Sequence, residues 1–125
     1  MFNYLKFAIF QIIGFISSLP LVRKFTKSPQ KYSSEEKFEF LQSQATKSLD
    51  LVNIKLNILG KERVPKEPVL FVINHSSMLD SFILISSIPK PVGVVIADVP
   101  TWRNIPIVKH WIDITKSVYI NRENN

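Results

Sequence analysis

In the stretch VLFVINHSSMLDSF, residues 69–82, five apolar residues lead straight into Asn74 and His75, and Asp80 comes five positions after the histidine. An imidazole that meets a carboxylate can serve as a general base. The carboxylate accepts a hydrogen bond from one ring nitrogen, which fixes the tautomer and leaves the other nitrogen as a proton acceptor. On one continuous helix a spacing of five would set the two side chains about 140° apart, on different faces. They can meet only if His75 sits in a strand-to-helix turn and Asp80 on the first part of the helix. The chain contains no cysteine and His75 has no metal-spaced partner, so the pair suits a general base better than a metal site, and no metal is expected. Spacing alone leaves a plainer alternative open, in which His75 ends a strand or helps to cap a helix.

The flanking sequence predicts elements of the kind this turn requires. Residues 69–73 form a short run rich in branched side chains, expected as a strand covered on both faces. Residues 76–88 read as a helix ended by Pro89 and Pro91, and residues 92–97 as another apolar strand. A helix is expected over 102–112, broken or kinked by Pro106, and a last strand over 117–120. Upstream, Ser33 and Glu36 have capping-box spacing. Phe38, Leu41, Ala45, Leu49 and Val52 then recur at helical spacing. Ile54, Leu56 and Ile58 alternate with polar residues as a half-buried strand closed by Gly60. Strands alternating with helices predict an α/β fold, a largely parallel sheet with flanking helices, preceded by an N-terminal hydrophobic and amphipathic helical region. The three glycines, Gly14, Gly60 and Gly93, form no phosphate-binding loop.

A chain of 125 residues, 46% hydrophobic and 21% charged, has the makings of one folded domain. Sixteen Lys and Arg against ten Asp and Glu give +6, which favours anionic partners. No recognised nucleic-acid motif or interleaved basic and aromatic stripe accompanies that charge, so nucleic acid is not expected as a partner. Residues 7–22, FAIFQIIGFISSLPLV, are flanked by Lys6 and by Arg23, Lys24 and Lys27. The run is shorter than the roughly 20 apolar residues of a spanning helix. Three readings stay open: a membrane anchor with a basic flank, a buried helix of a soluble domain, and a signal peptide. If the segment spans, the basic cluster puts the bulk of the chain in the cytoplasm. Trp102 and Trp111 read as core residues or as interfacial anchors.

The block FVINHSSMLD resembles the first motif of the glycerolipid acyltransferases, closest to the 1-acyl-glycerol-3-phosphate (lysophosphatidic acid) acyltransferases. The later stretch VVIADVPTWRNIPIVKHWIDITKSVYINR is similar to the same family. The resemblance implies that His75 deprotonates the free hydroxyl of lysophosphatidic acid, which attacks the thioester of acyl-CoA or an acyl carrier protein. It gives Asp80 the role of orienting His75, assigns the acceptor's phosphate to Arg122, and places Asn74 among the substrate-binding residues. It further implies phospholipid synthesis at a membrane lipid surface, with no cofactor; the cytoplasmic face is the expectation from the basic cluster after residue 22. Asn121 stands where the family usually carries aspartate, and no Glu-Gly-Thr-Arg-like third block or proline-containing fourth block is present. The expected organisation is therefore a hydrophobic membrane-anchor segment over 1–27 and a partial acyltransferase domain over 33–125. The alternative is a non-catalytic truncated remnant or a membrane-associated interaction module.

Overall fold

A computed structural model describes residues 4–77, 79–99 and 104–121. Its elements in chain order are α1 (Tyr4–Lys27), α2 (Ser34–Leu51), α3 (Asp80–Ser87), β1 (Val95–Ala97), α4 (Pro106–Thr115) and β2 (Val118–Ile120). Single 3-10 turns occupy Pro29–Lys31 and Lys61–Arg63.

The second helix is the hub. Its capping box forms as the spacing predicts: Ser33 Oγ accepts the Glu36 amide at 3.0 Å, and the Glu36 carboxylate accepts the Ser33 amide at 2.7 Å. Two of the first orphaned donors are thereby satisfied. The stripe Phe38, Leu41, Ala45 and Leu49 is buried, and α2 packs against α1, α3 and α4. Phe38, Leu41 and Ala45 form the core with Val22 and Phe25 of α1, Ile85 of α3 and Ile114 of α4. Leu41 is 1% exposed. Truncating such a side chain removes its transfer free energy and leaves a void. Leu41→Ala is expected to cost about 2–5 kcal/mol in urea unfolding.

The first helix runs for 24 residues, longer than its apolar core suggests. At 1.5 Å per residue it spans about 36 Å. The segment Leu5–Lys27 is long and apolar enough to cross a membrane. Gln11, which weakens a spanning reading of the bare sequence, points inward: its Nε2 donates to Ser48 Oγ at 2.7 Å, and that hydroxyl donates to Gln44 O at 2.8 Å. A buried hydroxyl is thus fully engaged. The outward face carries Leu5, Ile9, Ile12, Ile13 and Ile16, all exposed.

The sheet is smaller than the expected largely parallel one. β1 and β2 pair in parallel, Val95 opposite Val118 and Ala97 opposite Ile120. The loop between α4 and β2 is held by Lys116 in the left-handed region, φ 54°, and by Ser117 Oγ, which accepts the Val94 amide at 2.8 Å. Gly93 lets this strand approach, since a Cβ there would sit 3.1 Å from Thr115 O.

Three expectations are corrected. Residues 54–58 and 69–73 run without a ladder partner among the described residues, so neither is a strand. Far from being covered on both faces, Leu70 and Val72 are 84% and 86% exposed. A strand exists only through its ladder, and the burial in this fold goes mainly to helix-on-helix contacts around α2. Pro106 does not kink a helix but begins one: it is the first residue of α4, where its missing N–H has no partner to lose. Trp111 is a packing residue, its ring 5.3 Å from that of Phe82, whereas Trp102 lies outside the described residues.

Candidate active site

The turn before α3 brings His75 and Asp80 together. Their spacing of five residues is bridged because Ser76 and Ser77 lie outside the helix and Asp80 is its first residue. Asp80 Oδ2 accepts three hydrogen bonds: from the Ser76 amide at 2.7 Å, the Ser77 amide at 2.8 Å and His75 Nδ1 at 3.0 Å. The Leu79 amide donates to Ser77 Oγ at 3.2 Å, closing the turn further. One carboxylate oxygen organises three consecutive positions of chain.

Charge favours the arrangement. The amides of Ser77 and Ser76 hold Asp80's carboxyl below the usual carboxylate range, with His75 adding to the effect against the opposing pull of burial. A negative charge in the first turn of α3 also meets the positive end of the helix dipole. An ionised carboxylate has only acceptors, so the proton between the side chains belongs to His75 Nδ1. In the neutral imidazole Nε2 is then left with its lone pair. The His75 side chain is 66% exposed while that of Asp80 is 17% exposed, so the nitrogen that can take a proton is the reachable one and the orienting group is covered. Such a pair can accept a proton from an alcohol brought within about 3 Å of Nε2.

Helix packing fixes the platform. Phe82, two residues after Asp80, meets the Phe7 ring at 5.8 Å and the Trp111 ring at 5.3 Å. At the other end of α3, Gln42 Nε2 donates to Ile85 O at 3.0 Å and Ile88 O at 2.9 Å, satisfying carbonyls that a helix end leaves open. Sequence reasoning missed Gln42. Its position beside Leu41 at the margin of the α2 stripe offered no signal, because its partners lie 43 and 46 residues away.

Of the other residues singled out in the sequence, Asn74 is exposed, next to His75. Arg122 lies outside the described residues; Asn121 is the last described. Among the described residues no group of three or more His, Cys, Asp or Glu could hold a metal ion. Two cavities, of about 20 Å³ among α1, α2 and α4 and about 140 Å³ among α2, residues 91–93 and the end of α4, are not lined by His75 or Asp80. Among the described residues the His75 side chain is exposed and borders neither cavity.

Comparison with known proteins bears on this turn. A sequence profile of the family described as Acyltransferase matches residues 55–125, more than half of the chain and inclusive of the His75 turn. A Mycoplasma pneumoniae protein named "Probable 1-acyl-sn-glycerol-3-phosphate acyltransferase" is 35% identical over 83 residues, 66% of this chain and 31% of that protein. A Mycoplasma genitalium protein of the same name is 29% identical over 76 residues, 61% of this chain and 28% of that protein. The chain thus spans under a third of the length of these curated relatives. No solved structure matches it.

Proposed function

The chain belongs to the acyltransferase family, and from that premise we propose that it acts in phospholipid synthesis, with His75 as the general base of acyl transfer to 1-acyl-glycerol-3-phosphate. Nε2 takes the proton of the acceptor's free hydroxyl as the oxygen attacks the thioester carbonyl of acyl-CoA or an acyl carrier protein. The C–S bond breaks, the thiolate leaves and is protonated, and the ester forms. Asp80 holds the imidazole and stabilises the imidazolium. The observation that carries this proposal is the His75 Nδ1 to Asp80 Oδ2 hydrogen bond at 3.0 Å, with the imidazole otherwise exposed. The relatives' names support the acceptor class. Arg122 is assigned the acceptor's phosphate, which a guanidinium grips with two parallel hydrogen bonds, and Asn74 a substrate-binding role. β1 and β2 supply one parallel pair of the larger sheet proposed for the whole domain.

The substrate is a lipid, and α1 supports a membrane-associated location, which we assign to the cytoplasmic face. Phe7 at one end packs on Phe82, and Val22 and Phe25 at the other end lie in the core. The helix is held along the domain, with Leu5, Ile9, Ile12, Ile13 and Ile16 facing away and Arg23, Lys24 and Lys27 near its end for anionic headgroups. Ile12→Glu with Ile16→Glu is expected to weaken partition into anionic vesicles by about a hundredfold or more in a sedimentation assay, since each isoleucine brings about 1.5–3 kcal/mol of burial when fully covered. Unchanged partition would remove the stripe from the lipid contact.

The test of function is formation of phosphatidic acid when the protein is mixed with vesicles containing lysophosphatidic acid and either acyl-CoA or acyl carrier protein thioester. Product with one donor supports the proposal and names the donor. One observation favours the alternative, a non-catalytic interaction module: the bare apolar faces of Leu70 and Val72. Its signature is vesicle binding with no product from either donor.

A further inference from the structure

We propose that Lys90 is a positioning residue for His75, tethering the upstream end of the chain segment whose downstream end Asp80 holds. Lys90 Nζ donates to Pro65 O at 2.7 Å and also to Glu67 O. Hydrogen bonds from an ammonium are stronger than neutral ones, and two converge here. The gripped carbonyls sit in the stretch Pro65-Lys66-Glu67-Pro68, where two prolines restrict the backbone. Fixing them fixes the direction in which the chain enters residues 69–73. That segment has no ladder partner among the described residues, so its ends govern where it lies.

Both ends are held by groups at or just beyond the two ends of one helix. Asp80 is the first residue of α3 and Lys90 lies two residues beyond its C-cap, Ile88. Ile88 is buried, and Gln42 secures its carbonyl together with that of Ile85. The helix is therefore a splint. One end grips the loop before the segment, and the other grips the turn after it, where His75 stands. Lys90 touches no reacting atom, and its role in catalysis rests on the proposed acyltransferase function. Its role in ordering the turn does not.

The test is amide hydrogen exchange and steady-state kinetics on the full chain, comparing Lys90→Met and Lys90→Arg with the parent. In Lys90→Met the Ser76 and Ser77 amides are expected to exchange about tenfold faster while α2 amides keep their rates. The kcat falls by roughly three- to tenfold with KM unchanged, as expected when orientation of a base loosens. Lys90→Arg, whose guanidinium can also donate to two carbonyls, restores both. Unchanged exchange at Ser76 and Ser77 in Lys90→Met would overturn the proposal. Equal acceleration throughout α2, or no recovery in Lys90→Arg, would also overturn it, because Lys90 would then be a general prop. The exchange arm needs no turnover, so a failure of the acyltransferase assignment would show only in the kinetic arm.

Discussion

His75→Ala is expected to lower acyl transfer to lysophosphatidic acid by about 10²–10⁴-fold while the protein stays folded. The size follows from the step lost. An alcohol is a poor nucleophile at neutral pH, and without a base its proton must go to water during attack. Survival of the fold follows from the environment. The imidazole is two-thirds exposed, and Asp80 keeps the Ser76 and Ser77 amides when it is gone. Surface changes of this type usually stay within about 0.5 kcal/mol. Phosphatidic acid formation and a thermal melt together check the claim. Full activity in a folded variant would take His75 out of the base's role.

Asp80→Asn is the second large effect, and it works differently. The asparagine carbonyl can still accept from the Ser76 and Ser77 amides, so the turn is expected to form. All three contacts of Asp80 converge on one oxygen, Oδ2, so an asparagine that keeps the amides with its carbonyl accepts from Nδ1 as well. What it loses is the negative charge that stabilises the imidazolium when Nε2 takes the acceptor's proton. In a comparable histidine–aspartate pair that change costs about 10⁴-fold in kcat, and a loss of about 10²–10⁴-fold is expected here. Loss of the charge at the head of α3 adds a stability cost that His75→Ala does not carry. Residues that act as a unit are not additive, so the double variant should be little slower than His75→Ala alone. Multiplied losses would mean that the two side chains act separately.

Local features of this fold were legible in the sequence, and distant pairings were not. The capping box at Ser33 and Glu36 was readable because donor, acceptor and spacing all lie within four residues. The His75–Asp80 contact was readable for a related reason: five residues on one helix cannot face each other, so the pair pointed to a turn at a helix start. The strand over 69–73 was misjudged because an apolar run states that it can be covered, not what covers it. Pro106 fits both a kink and a first helical residue, and the choice depends on where α4 packs. Gln11 and Gln42 read as ordinary polar residues of helices. Their partners, Ser48 and the carbonyls of Ile85 and Ile88, become neighbours only when α1 and α3 close on α2.

The central claim is that Asp80 keeps the proton of the neutral imidazole on Nδ1 and leaves Nε2 bare. Long-range proton–nitrogen NMR on protein labelled with ¹⁵N-histidine distinguishes the two ring nitrogens directly. At a pH where the imidazole is neutral, His75 is predicted to show a protonated Nδ1 and an unprotonated Nε2, with the order reversed or averaged in Asp80→Ala, which removes the acceptor. A neutral His75 with its proton on Nε2, or a spectrum that Asp80→Ala leaves unchanged, would contradict the account.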